Sequence, residues 1–216
     1  MDEATTIIYY TANTENVLFE EKVKQTIIKN SNGLPIISVS RKPTDFGNNI
    51  CVGEIPVCYA NGIRQLLLGL KLCKTKYAIA AESDCLYPPE YFSHVPLYDN
   101  RMYRYRNVKV IYQWESKKFK GKFWEKAFTE GAQMAGVEYW INSIENQVDG
   151  GDWKNTKNPP IIFERHLIPR YSWNSVNPVI TIKTKSNISK YTTKTGISFD
   201  TVPYWGSEKE IQEWLS

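Results

Sequence analysis

The chain has only two histidines, and its four cysteines, Cys51, Cys58, Cys73 and Cys85, include no C-x-x-C pair. That scarcity of soft ligands argues against a structural zinc site, and the thiols read as reduced and mostly buried. Glycine is absent from Ile7 to Asn30. The stretch therefore lacks the glycine-rich phosphate loop that nucleotidyl transfer on an α/β fold needs near its first strand. No window approaches the roughly 18 uninterrupted apolar residues of a membrane span. The opening MDEATTIIYY places acidic residues where a secretory signal is basic. A cytoplasmic protein without membrane contact is expected.

What is present suits one globular domain: 216 residues, 42% hydrophobic and 23% charged, enough for a substantial core. The formal charge of +4 is unevenly placed: residues 1–100 hold 9 basic and 11 acidic side chains, and the rest carry the excess of +6. Residues 101–126 have 9 basic against 2 acidic groups and residues 154–194 have 8 against 1, both among many Tyr and Trp. Basic, aromatic surfaces of this kind suit a polyanion such as DNA; a solvated face over core rings is the plain alternative.

Along the first hundred residues, TTIIYYT (5–11) reads as a buried strand. NVLFEEKVKQTIIKN (16–30) spaces Phe19, Val23 and Ile27 as an amphipathic helix. LPIISVSR (34–41) is a second strand. NGIRQLLLGLKLCKTK (61–76) predicts a helix burying Ile63, Leu66, Leu67 and Leu70, with Lys74 and Lys76 at the negative end of its dipole. YAIAA (77–81) is a third strand. The alternation predicts an α/β fold with a mostly parallel central sheet and helices on both faces. Ligands of such sheets bind beyond the carboxyl ends of the strands, where Glu82-Ser83-Asp84 stands. Two carboxylates one residue apart there suit Mn²⁺ or Mg²⁺, hard cations that take a few carboxylates plus phosphate oxygens.

YANGIRQLLLGLKLCKTKYAIAAESDCLYPPEYF (59–92) resembles the central block of family 2 type, GT-A fold glycosyltransferases, whose D-x-D metal motif is matched by Glu82-Ser83-Asp84. The resemblance implies a GT-A-like single domain over 1–216, with a nucleotide-sugar-binding half (1–100) and an acceptor-side half (101–216). It further implies that Tyr10, Thr11 and Asn13 face the base, that Arg41 contacts base or ribose, and that Asn61 and Arg64 meet the diphosphate of a UDP-sugar. FTEGAQMAGVEYWINSIENQV (128–148) is similar to the strand under the donor sugar, with Gly131 allowing close approach, followed by a helix. The tail SWNSVNPVITIKTKSNISKYT (172–192) resembles that of small bacteriophage-type members. On that pattern Lys183 takes an Arg position and can meet phosphate, Asn187 an Asn position, and Thr184 a His position. Thr replaces that metal ligand poorly, so strict metal dependence is left open.

For the catalytic base, Asp152 and Glu164 are the candidates, with Glu115 behind them; an ion pair with Arg165 or Arg170 is the ordinary reading of Glu164. Ser207-x-x-Glu210 is a capping-box signature before a short amphipathic helix. The expected activity is sugar transfer from a nucleotide-sugar donor to an acceptor hydroxyl, with 5-hydroxymethylated pyrimidines in phage DNA as the candidate acceptor. The alternatives are a nucleic-acid-binding module with an inactive donor site and a nucleotidyltransferase.

Overall fold

A computed structural model describes residues 5–113, 119–145, 171–187 and 194–215. Asp152, Glu164 and Glu115 lie outside the described residues. An inner strand of the first sheet is Thr5–Thr11 (β1): every residue is β-branched or aromatic and all seven are buried, as a strand covered on both faces requires. It pairs in parallel with Ile36–Ser40 (β2) on one side and Tyr77–Glu82 (β4) on the other. Beyond β2 lies Asn48–Cys51 (β3), also parallel. Beyond β4 come Gln133–Gly136 (β9), Met102–Tyr105 (β6) and Tyr171–Trp173 (β10). The order is β10-β6-β9-β4-β1-β2-β3, and all pairings except the two made by β9 are parallel.

Alternation along β1 sends Ile7 and Tyr9 into one core and Ile8 and Tyr10 into the other. The first is closed by Phe19, Val23 and Ile27 of helix α1 (Val17–Asn30), which Asn16 caps by accepting from the Leu18 and Phe19 amides. The second is closed by Ile63, Leu66 and Leu70 of α2 (Tyr59–Leu72) and by Trp140 and Ile144 of α4 (Val137–Glu145). Helices thus cover both faces. A short α3 (Pro89–Phe92) follows the turn after β4, and α5 (Glu208–Leu215) places Ile211 and Leu215 in the first core. Ser207 and Glu210 form the expected box: the Ser207 amide donates to Glu210 Oε2 at 2.6 Å, and the Glu210 amide to Ser207 Oγ at 3.3 Å.

A second sheet, in the order β12-β8-β7-β11-β5, stands against the first core. Its strands are Lys194–Phe199 (β12), Phe123–Lys126 (β8), Val108–Tyr112 (β7), Val179–Lys183 (β11) and Cys85–Leu86 (β5). Because β5 follows β4 after a two-residue turn and pairs with β11, the Glu82–Asp84 turn is where the two sheets meet.

Two expectations are corrected. The second helix stops at Leu72, not at 76, because Cys73 is extended and Thr75 Oγ1 donates to the Tyr77 carbonyl as the chain enters β4. Lys71, rather than Lys74 or Lys76, therefore occupies the last turn, and it pairs with Glu145 of α4. The basic stretch 101–126 is also not one solvated face. Lys109 is buried beside Glu125 and over the Phe199 ring, Arg104 lies over Phe128, and Lys126 is buried. Arg101, Arg106 and Lys120 are exposed.

Gly69 sits where α2 presses on β1, so an added Cβ would lie 2.5 Å from Ile8 Cγ2, whereas at Gly62 nothing lies within 4 Å. The same substitution in one helix should therefore act in opposite directions. Gly62→Ala is expected to stabilise by up to ~1 kcal/mol from helix propensity, and Gly69→Ala to destabilise by about 1–3 kcal/mol from overpacking. Urea denaturation of the two variants checks the signs.

Candidate active site

A cavity of about 260 Å³ opens at the carboxyl ends of β1 and β4, the place at which open α/β sheets bind ligands. Glu82 is the last residue of β4, and its environment fixes it there. The Tyr10 hydroxyl donates to Glu82 Oε1 at 2.7 Å. The Glu82 amide donates to the Tyr87 hydroxyl at 2.9 Å, and that hydroxyl donates onward to the Gly131 carbonyl at 2.7 Å. The carboxylate itself lies against Gly131, where any Cβ would collide with it. The close approach expected at Gly131 is thus one made by Glu82.

Glu82, Asp84 and Cys85 bring one ligand atom each within 4.8 Å of one another. Desolvation, followed by the nearby Asp84 charge, pushes the Glu82 carboxyl up to about 7. Burial, followed by the Asp84 and Glu82 charges, likewise raises the Cys85 thiol, and hard divalent cations prefer the carboxylate oxygens to its sulfur. The donor set fits a hard divalent cation: two carboxylates open to a cavity large enough to supply further oxygens from a ligand. Such an ion also relieves the repulsion that raises Glu82.

The sequence missed a third carboxylate, Glu15, in the polar loop between β1 and α1. It accepts from Thr184 Oγ1 at 3.0 Å and from Asn187 Nδ2 at 3.4 Å. Desolvation pushes it up to about 7, with the Thr184 bond acting in the opposite direction. Asn187 Nδ2 also donates to Asp84 Oδ2 at 2.9 Å. The segment after β11 thereby ties the Glu82–Asp84 turn to the β1–α1 loop. Thr184 faces Glu15, not the Glu82–Asp84 pair. A polar loop residue with no periodic context carries no signal for Glu15 in sequence; Glu130, also on the wall, is equally silent.

Of the anticipated residues, Tyr10, Thr11, Arg41, Asn61, Glu82, Asp84 and Lys183 line the cavity. Arg41 Nη1 donates to the Ala12 carbonyl at 3.1 Å and Nη2 pairs with Glu54, which aims the guanidinium along the rim. Thr11 is buried, and its carbonyl accepts from Gln65 Nε2 at 2.9 Å. Asn61 is held at both ends of its amide, donating to the Pro56 carbonyl and accepting from Arg64 Nη1 at 2.9 Å. Arg64 and Asn13 are not among the lining residues. Arg64 stands behind Asn61, and Asn13 occupies a left-handed turn (φ 49°) with its side chain engaged by Glu20 and the Lys42 amide. A short polar side chain that bonds nearby backbone tolerates that conformation.

Set against solved structures, the chain is similar to S. aureus TarS 1–349 in complex with UDP-GlcNAc: 7% identity, TM-score 0.54, covering 88% of this chain and 62% of that one. It is also similar to the glycosyltransferase GlyE of Streptococcus pneumoniae TIGR4 in its apo form, at 7% identity and TM-score 0.55, covering 99% of this chain and 60% of that one. The fold is that of the GT-A glycosyltransferases. The chain spans about three fifths of the length of these two structures. No family model and no curated protein sequence matches it. Among the described residues no helix is long and apolar enough to cross a membrane.

Raised carboxyls give the site a definite pH signature. Glu82 and Glu15 sit near 7 in the folded chain against 4.5 for the ordinary group. The folded state therefore holds these protons more tightly than the unfolded state does. Their contribution favours folding at low pH and is lost as pH rises from about 4.5 through about 7. A cation has to displace those protons. The increase in melting temperature on adding Mn²⁺ is expected to be larger at pH 8 than at pH 5.5. Scanning fluorimetry of chelated and Mn²⁺-loaded protein checks this, and equal increments at both pH values would contradict it.

Proposed function

We propose that the protein transfers a sugar from a nucleotide-sugar donor, UDP-linked, to an acceptor hydroxyl. The observation that carries this reading is the Glu82–Asp84 pair at the carboxyl end of β4, facing the cavity of a GT-A fold. TarS, which shares that fold, was crystallised with UDP-GlcNAc. Glu82 and Asp84 would hold Mn²⁺ or Mg²⁺, which when bound supplies Lewis-acid neutralisation of the departing diphosphate. Tyr10, Thr11 and Arg41 wall the nucleoside end. Asn61, positioned by Arg64, borders the diphosphate, and Lys183 meets it as a point charge. Asn13 acts at one remove, by shaping the loop that carries Glu15.

In the transfer, the bond from the anomeric carbon to the diphosphate oxygen breaks and the acceptor oxygen bonds to that carbon. The hydroxyl proton passes to a carboxylate base, for which Asp152 and Glu164 are our candidates. We assign the whole chain, 1–216, to one domain. Residues 1–100 form most of the donor half, and the cavity also draws Lys126, Thr181, Lys183 and Asn187 from the acceptor half. For the acceptor we favour a 5-hydroxymethylated pyrimidine in DNA of a bacteriophage. The reasons are the exposed Arg101, Arg106 and Lys120 and the excess of positive charge in residues 154–194.

Asp84→Asn keeps side-chain volume and removes charge. It should abolish both transfer and UDP-sugar hydrolysis while leaving the melting temperature of the chelated protein close to wild type. UDP with Mn²⁺ at a hundredfold excess over its dissociation constant should stabilise the wild-type protein by about 2.7 kcal/mol. No stabilisation by any nucleotide in a screen would remove the reading and leave a binding module without a donor.

The acceptor is tested separately. Incubation with a panel of UDP-sugars and DNA carrying 5-hydroxymethylated pyrimidines should add a hexose or pentose mass to single nucleosides after digestion. DNA affinity should fall by about 0.9 log units per released counterion for each decade of salt. Charge reversal at Arg101, Arg106 and Lys120 should weaken DNA binding and leave UDP binding unchanged. DNA that neither binds nor gains mass would exclude this acceptor without touching the donor assignment.

A further inference from the structure

Four lysines among the described residues are at least nine-tenths buried: Lys24, Lys109, Lys126 and Lys183. Two of them have anionic partners. Lys24 pairs with Glu21 at 2.8 Å and also donates to Thr44 Oγ1, and Lys109 lies 3.6 Å from Glu125 and over Phe199. The ammonium groups of the other two, Lys126 at the end of β8 and Lys183 at the end of β11, make no hydrogen bond or ion pair with any described residue. These are the two that line the cavity. Burying an ammonium without a hydrogen-bond acceptor is costly: burial is the first cause that lowers Lys126 and the Lys183 charge adds to it, while the nearby Asp84 and Glu82 charges act in the opposite direction. Lys126 is level with Val108 and Lys183 with Tyr112, four residues apart along β7, so the two side chains leave the same face of the second sheet towards opposite ends of β7, and both reach the cavity.

The cavity consequently has two walls of opposite sign. Glu82, Asp84 and Glu15 stand at the end of the first sheet, and Lys126 and Lys183 on one face of the second. A ligand suited to both is an anion that carries a cation on one side and spare oxygens on the other. A diphosphate is such a group, and two lysines are suitable point-charge partners for it.

We propose that Lys126, together with Lys183, forms an anion site for the diphosphate of the donor, taking the phosphate oxygens turned away from the Glu82–Asp84 side. This rests on the nucleotide-sugar reading and extends it to a residue that neither the motif nor the fold assigns. The pair holds the diphosphate whether or not a divalent cation is present, so cation and lysines contribute separately to binding. Lys126 closes FWEK, the strand that ends the strongly basic stretch 101–126.

The test is calorimetric titration of UDP, inorganic pyrophosphate and uridine into the full chain, in Mn²⁺ and in EDTA. Wild-type protein is expected to bind UDP and pyrophosphate in EDTA, more weakly than UDP with Mn²⁺. Lys126→Met should weaken both by roughly tenfold to a hundredfold, the range for one charge-assisted hydrogen bond, and leave uridine unaffected. Met keeps the apolar stem and removes a charge that burial disfavours more than its carboxylate neighbours favour it, so the ligand-free variant should melt at a higher temperature than wild type. Lys126→Arg should retain part of the affinity. Higher ligand-free stability together with lower diphosphate affinity separates a binding lysine from a structural one, whose removal would lower both. Wild-type UDP affinity in Lys126→Met would overturn the proposal while the glycosyltransferase reading stands. No binding of UDP in either condition would overturn both.

Discussion

A carboxylate at the tip of a strand buried on both faces is the constraint around which the rest is arranged. β4 can lie at the centre of the sheet only because its residues up to Ala81 are apolar or aromatic. Glu82 then arrives at the rim with little water and has to be accommodated by its neighbours. Tyr10 reaches it from the adjacent strand, Tyr87 holds its backbone, and Gly131 gives up a side chain to make room. Each contact costs freedom elsewhere: a tyrosine confined to one rotamer, a position in the β8–β9 connection restricted to glycine. The carboxyl raised to about 7 reports the tension left over, which a bound cation would relieve.

The parts of this arrangement that follow chain periodicity were legible in the sequence. β1, β2, β4, α1 and α2 all appear within a few residues of where alternation and four-residue spacing place them, because each buries a continuous apolar face. Glu82 and Asp84 stood out because charge interrupts an apolar run. Helix α4 follows strand β9 within 128–148, the order that the resemblance of that segment implied. What failed to show was anything whose meaning depends on partners distant in sequence. Glu15 is one acid in a polar loop until Thr184 and Asn187 arrive from 169 and 172 residues away.

Lys126 and Lys109 are the same problem in reverse. In the string KGKFWEK a lysine looks like solvent-facing charge, and only the pleat of β8 and the packing of the second sheet decide which side chains turn inward. Arg64 and Asn13 were chosen by likeness of position and stand behind the wall, one supporting Asn61 and the other shaping a left-handed turn. Resemblance pointed to segments that border the cavity; which atom of a segment faces it depends on hydrogen bonds that no local pattern encodes.

The insertion of β9 between β4 and β6 has a consequence for how the chain comes together. A nascent chain that has reached residue 100 has β1, β2, β3 and β4, but the outer edge of β4 lacks the strand that will occupy it, and unpaired edges invite wrong association. That edge is closed only by residues 133–136, and the face of β1 covered by α1 is finished by Ile211 and Leu215 of α5, near the far end. Contacts of such long sequence separation slow folding, since their loops must close before they stabilise anything. The loops at the cavity mouth that precede residue 100 are thus synthesised before the strands that fix them, and a cut between the halves would leave the earlier piece with a bare strand at its most apolar margin.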